Sequence, residues 1–131
     1  MTKFSATDVE STARRISATW LLDKEVSPAF ESLTTLASRA SAQAAHAGLI
    51  AMEAWDGRER LGAIQQPTLV VWGERDRSYG WSQIEKLWRT IPRASLAVLP
   101  ACSHALHLER TALFHTLVLE FLLSDEAAAS P

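Results

Sequence analysis

The chain has 131 residues, 47% of them hydrophobic and 21% charged, which is the make-up of a folded globular domain and excludes a disordered or low-complexity chain. Thirteen Lys and Arg stand against fifteen Asp and Glu, a net charge of −2, so there is no basic excess to support binding of nucleic acid or an anionic membrane surface. A single cysteine, Cys102, excludes an internal disulfide and agrees with a reducing compartment.

Lys3, Asp8, Glu10, Arg14, Arg15, Asp23, Lys24 and Glu25 interrupt the N-terminal stretch, which leaves no apolar run for a signal peptide. Apolar runs elsewhere fall far short of the roughly 20 residues a membrane helix needs. A cytoplasmic protein is therefore expected. Val9, Ala13, Ile16 and Trp20 follow a 4-3-4 spacing and predict an amphipathic first helix, with Asp8 placed to cap it. Ser27-Pro28 predicts a second helix start, because serine accepts from free backbone N–H groups and proline fits the first helical position. Phe30, Leu33, Leu36, Ala37, Ala40 and Ala44 continue that helix over 28–47, with Gly48 as its stop or kink. A short apolar segment, 49–55, ends at the turn signal Asp56-Gly57.

The pattern changes at Pro67. Thr68-Leu69-Val70-Val71-Trp72 is continuously apolar, which predicts a strand covered on both faces, as in parallel sheets. Trp81, Ile84, Leu87, Trp88 and Ile91 have helical spacing and end at Pro92. Ser95 to Leu99 predicts a second strand, ended by Pro100. Leu106 to Leu123 predicts one last helix, with Leu113, Leu117 and Phe121 on a stripe flanked by Leu106, Phe114 and Val118. Strand, helix, strand, helix is a right-handed unit with parallel strands. Asp125 to Pro131 is expected to be a flexible tail.

Reactive groups in parallel sheets gather at the C-terminal ends of strands. The first strand end leads into Gly73-Glu74-Arg75-Asp76, the second into Pro100-Ala101-Cys102-Ser103-His104. Neighbouring parallel strands would bring Asp76 and His104 to one rim, where an acid can hold one imidazole tautomer and leave the other ring nitrogen as a general base. Other groups carry less. Cys102 lies on the same short loop as His104, where side chains two apart do not face each other. His104-x-x-His107 with Glu109 lacks a clear third metal ligand. His46 and His115 read as ordinary helix residues, and Trp20, Trp55, Trp72 and Trp88 as packing residues. Tyr79 and Trp81 follow the acid and are candidates to line a substrate pocket.

Two segments together resemble the α/β-hydrolase family. Residues 64–76, IQQPTLVVWGERD, resemble its seventh strand and acid loop, and residues 96–104, LAVLPACSH, followed by Leu108-Glu109, resemble its eighth strand and histidine loop. The resemblance is strong over 55–123 and weaker over 5–54, which look like the helical lid such enzymes insert before the seventh strand. It implies the acid role for Asp76, the base role for His104 and a structural role for Glu109. Where the family often has glycine flanking the residue before the histidine, this chain has Ala101 and Ser103, and no proline follows the acid in Arg77-Ser78-Tyr79-Gly80-Trp81.

The family's nucleophile sits in a G-x-S-x-G elbow that precedes the acid, and no such motif occurs in this chain. Gly80-Trp81-Ser82-Gln83-Ile84 lacks the second glycine, follows the acid and opens a helix. The oxyanion donors that accompany the elbow are absent with it. The expected fold is α/β, a partial α/β-hydrolase fold. It comprises a helical lid-like segment at 1–66, a βαβα unit with two parallel strands at 67–124, and a tail at 125–131.

The expected function is that of a C-terminal half. Asp76 and His104 would serve hydrolysis of a small, apolar ester, lactone or related substrate, with the nucleophile in a missing or separate half. The other readings are a non-catalytic binding or self-assembly module and a fragment without activity of its own. An exposed edge on the first strand implies a homodimer or a complex with a nucleophile-bearing chain. The resemblance implies no metal and no organic cofactor, since the family's chemistry runs on side chains.

Overall fold

The structure is a computed structural model that describes the backbone of residues 6–124 and the side chains of residues 9–124. The tail at 125–131 lies outside that range; Asp8, predicted to cap the first helix, instead has its backbone within that helix, which runs from Ala6, and its side chain lies outside the described residues. The chain divides into two compact units, the first ending at Asp56 and the second beginning at Gly57.

The first unit is helical. Helix α1, Ala6–Trp20, buries Val9, Ala13 and Ser17 on one face, one step round from the predicted stripe, and leaves Ile16 and Trp20 half-buried. Leu21 and Phe30 complete this small core. Arg14 lies 4.9 Å over the Phe30 ring and pairs with Glu31 at 3.2 Å, a surface contact between α1 and the next helix.

The single helix predicted over 28–47 is instead two: α2, Phe30–Ala37, and α3, Ala42–Ala54. Two serines make the break. Ser38 Oγ donates back to the Thr34 carbonyl at 2.8 Å, and Arg39 and Ala40 make tight i→i−3 bonds. Ser41 then caps α3, its hydroxyl accepting from the Ala44 N–H at 3.1 Å. Gly48 stops nothing; it lies in the middle of α3, which runs on through the predicted apolar segment to Ala54. Trp55, read as a packing residue, is 75% exposed.

The second unit follows its predicted order. A 3₁₀ segment, Arg58–Ala63, leads to β1, Thr68–Gly73; then come α4, Trp81–Thr90, and β2, Ala94–Leu99. The last predicted helix is two pieces, α5, Leu106–Glu109, and α6, Thr111–Leu123. They part at Arg110, whose φ of −131° is not helical and whose Nε donates to the Pro100 carbonyl at 3.1 Å.

Strands β1 and β2 are parallel and in register from Thr68↔Ala94 to Gly73↔Leu99. Among the described residues they form the whole sheet. Thr68 N–H donates to Arg93 and Glu74 N–H to Leu99, so by alternation Leu69 and Val71 direct their N–H and C=O groups to the other edge. The double cover predicted for β1 is incomplete: Val70 is buried, but Leu69, Val71 and Trp72 are only half-buried. Leu99, Cys102 and Leu106 form the core beneath the strand ends, packed by Val71, Ala97, Phe114 and Leu117. Leu113, predicted on the same stripe, is exposed. No helix of the described residues is long and apolar enough to cross a membrane.

Glycine is the weakest helix former after proline, and a Cβ at Gly48 would meet nothing within 4 Å. Gly48→Ala should therefore stabilise the chain by about 1 kcal/mol, read as a raised midpoint in denaturant unfolding. An unchanged or lowered midpoint would contradict the placement of Gly48 inside α3.

Candidate functional site

The matched register sets the ends of β1 and β2 side by side, and the two loops that leave them are bonded to each other. Glu74 N–H donates to the Leu99 carbonyl at 2.9 Å and Arg75 N–H to the Cys102 carbonyl at 3.0 Å. This contact is close because residue 73 has no side chain. A Cβ there would overlap the Ser103 carbonyl oxygen and come within 2.9 Å of the Cys102 carbonyl oxygen. Past Gly73 the chain turns sharply, with Asp76 N–H donating to the Gly73 carbonyl at 2.9 Å.

That turn aims Asp76 at His104. The carboxylate uses both oxygens. Oδ1 accepts from Ser78 N–H at 2.6 Å and from Tyr79 N–H at 3.3 Å, an arrangement aspartate favours in turns. Oδ2 lies 2.9 Å from His104 Nδ1. A carboxylate only accepts, so this pairing puts the proton on Nδ1. The Asp76 side chain is 4% exposed and that of His104 27%, so the acid is sealed while the imidazole reaches the surface.

The Tyr79 ring lies against the imidazole with its centroid 5.4 Å away, and its carbonyl accepts from Trp72 Nε1–H at 3.0 Å. Trp81 sits one step further off, its ring 5.8 Å from Trp72. Asp76, His104 and Tyr79 thus come together, and Trp81 joins them through Trp72. Tyr79 and Trp81 are both more than two-fifths exposed.

The weaker candidates lie elsewhere. Cys102 is fully buried, and its thiol donates to the Leu99 carbonyl at 3.3 Å, away from the imidazole. Burial pushes the thiol pKa up. The negative charge of Glu109 adds to this, Arg110 partly offsets it, the charge of Glu74 raises it further, and a hydrogen bond from the Glu74 backbone lowers it. His107 packs against Phe114, and among the described residues no three His, Cys, Asp or Glu side chains are grouped to hold a metal.

Sequence reasoning passed over Glu74 and gave Trp72 only a packing role. Glu74 Oε2 accepts from Ala101 N–H at 3.2 Å, and Glu109 Oε2 accepts from Ser103 N–H at 2.7 Å. The signal available for Glu74 was its place, directly after the strand that carries the acid. Ala101 has φ of 51°, the left-handed region that glycine enters at little cost and alanine does not. Ser103 Oγ is buried without a hydrogen-bond partner among the described residues. Ala101 and Ser103, which stand where the family often has glycine, therefore each carry a local cost.

The sequence profile of the Alpha/beta hydrolase family matches residues 3–116. A 2-hydroxy-6-oxo-6-phenylhexa-2,4-dienoate hydrolase of Burkholderia cepacia is 40% identical over 73 residues, which is 56% of this chain and 26% of that protein. A 2-hydroxy-6-oxononadienedioate/2-hydroxy-6-oxononatrienedioate hydrolase of Pseudomonas putida is 42% identical over 67 residues, 51% of this chain and 23% of that protein. Among solved structures, the enol-lactonase from Burkholderia xenovorans LB400 superposes with a TM-score of 0.82 at 21% identity, covering 89% of this chain and 46% of that one. The match thus spans about a quarter of the curated relatives and less than half of the solved neighbour. At that identity the structural likeness establishes the fold.

Two outcomes test this geometry. Gly73→Ala should destabilise the chain by about 1–3 kcal/mol through overpacking against the Cys102 and Ser103 carbonyls, measured by denaturant unfolding; wild-type stability would contradict the close approach. For Cys102, a raised folded-state pKa means the unfolded chain loses the thiol proton first as pH rises. Stability should fall as pH climbs from the ordinary thiol value to the raised one, and be fully present below that window. Unfolding free energies measured across the alkaline range should show this fall in the wild-type chain and less of it in Cys102→Ala. Equal slopes would contradict the buried thiol.

Proposed function

Because the chain belongs to the Alpha/beta hydrolase family, we propose that its second unit supplies the acid and base of a hydrolytic site, with Asp76 as the acid and His104 as the base. The single observation that carries this reading is the 2.9 Å contact between Asp76 Oδ2 and His104 Nδ1, made by a sealed carboxylate and a surface-reaching imidazole.

The roles follow from the protonation geometry. With Nδ1–H directed at Asp76, Nε2 is the basic nitrogen. It takes the proton of a hydroxyl nucleophile as that oxygen attacks a carbonyl carbon, and returns the proton to the leaving oxygen. Asp76 stabilises the imidazolium between these transfers. The nucleophile comes from a G-x-S-x-G elbow outside this sequence, on a nucleophile-bearing chain or half. That elbow and its oxyanion donors complete the site. A homodimer would cover the open edge of β1 but would bring no elbow, since each copy has the same sequence.

Residues 1–66 serve as the lid-like part of such an enzyme and residues 67–124 as the end of its core. Tyr79 and Trp81 form an aromatic wall beside the base. A small, largely apolar carbonyl compound, an ester, a lactone or a related substrate, fits that wall. The names of the relatives, dienoate hydrolases and an enol-lactonase, support the same substrate class. A single buried thiol agrees with a cytoplasmic setting. The other reading, a non-catalytic binding or self-assembly module, is favoured by the open edge of β1, to which Leu69 and Val71 direct their peptide groups.

Reconstitution decides between them. The purified chain is combined with a nucleophile-bearing half carrying G-x-S-x-G, and hydrolysis of a small aryl ester is followed. Turnover should depend on both halves and fall about 10⁴-fold in Asp76→Asn and roughly 10⁶-fold in His104→Ala. Turnover that survives His104→Ala would overturn the base assignment. Ligand binding by the reconstituted complex with no turnover would favour the binding module.

A further inference from the structure

The histidine loop presents two backbone N–H groups to carboxylates, one on each side of Cys102. Ala101 N–H points to Glu74, which leaves the end of β1, and Ser103 N–H points to Glu109, which lies in α5. The two contacts come from opposite directions in sequence, one 27 residues before the loop and one six residues after it. We propose that Glu74 and Glu109 are positioning residues for His104, holding the backbone of 101–103 so that the imidazole faces Asp76.

Three observations support this. Ser103 is fully buried, so its N–H has no water to turn to, and Glu109 at 2.7 Å satisfies it with a charged acceptor. Ala101 holds a backbone conformation that its own side chain disfavours, so something outside the residue must fix it. Glu74 is placed to do that, being anchored through its own N–H to Leu99 while its carboxylate takes the Ala101 N–H. The clamp also links the two sides of the pair, because the residue that reaches the histidine loop stands two positions before the acid.

This inference rests on reading His104 as the base, and its test needs neither substrate nor partner. The full chain is labelled with ¹⁵N, and two signals are followed: hydrogen exchange at the Ala101 and Ser103 amides, and the His104 Nδ1–H resonance that reports its bond to Asp76. Removing a charged acceptor should speed exchange at its own amide by roughly tenfold or more, Ala101 in Glu74→Ala and Ser103 in Glu109→Ala. Each variant should also weaken or abolish the His104 Nδ1–H resonance. Glu74→Gln and Glu109→Gln keep an acceptor oxygen at the same reach and should restore much of both signals. A general loss of fold would instead speed exchange at strand amides such as Val70, which serves as the internal control. Glu74 is exposed, so its alanine variant keeps the test open should Glu109→Ala unfold. Unchanged amide exchange and an unchanged Nδ1–H resonance in the alanine variants would overturn the proposal. Failure of the ester assay with these signals intact would overturn the hydrolytic reading and leave the clamp standing.

Discussion

The approach of Gly73 to the Cys102 and Ser103 carbonyls is the constraint on which the site depends. It lets the end of β1 press against the loop that follows β2, and it exists because residue 73 has no Cβ. Everything downstream inherits its position from that contact. Glu74 and Arg75 then reach the Leu99 and Cys102 carbonyls, the chain turns at Asp76, and the carboxylate arrives 2.9 Å from the imidazole. The site is local: two strand ends and two short loops assemble it within one unit. In energetic terms, the gain from a charge-assisted contact between partly buried partners is set against the cost of a left-handed Ala101 and a buried Ser103 hydroxyl with no partner among the described residues.

The same locality explains what the sequence made legible. Pro67, Pro92 and Pro100 punctuate the second unit, and each marks a boundary because proline cannot continue a strand ladder or a helix. Between them the apolar runs fit β1, α4 and β2 to within a residue or so. Asp76 and His104 could be paired on paper because parallel strands of equal length place their ends together. The first unit was less legible. An alanine-rich stretch such as 28–47 has helical propensity throughout, and nothing in its apolar spacing reveals that Ser38 and Ser41 terminate one helix and cap the next. Gly48 suggested a stop, yet good helix formers on either side carry α3 through it. Arg110 breaks the last helix by reaching back to Pro100, a tertiary contact that helical periodicity cannot show. The roles of Glu74 and Trp72 were hidden for the same reason, since each bonds a backbone group remote in sequence or around a turn.

The structure also sets the site apart from its surroundings. The strands that position Asp76 and His104 have their mutual edge filled, while Leu69 and Val71 turn their peptide groups to an edge where no further strand lies among the described residues. Helix α6 is apolar around most of its circumference, with Leu113, Leu119 and Leu122 exposed. An apolar helix face and an open strand edge are surfaces on which further polypeptide can pack. This chain spans about a quarter of the length of the curated relatives it matches. The Asp76–His104 contact is made wholly within the second unit, by the ends of its two paired strands.

The coupling between Asp76 and His104 is the quantity on which this account stands most directly. A double-mutant cycle on the full chain, Asp76→Ala and His104→Ala singly and together, measures it from denaturant unfolding near neutral pH. The expected coupling free energy is about 1–3 kcal/mol, the range of a hydrogen bond to a buried charged group. Strictly additive single substitutions would show that the two side chains do not interact, and would contradict the assembly of the pair by this unit.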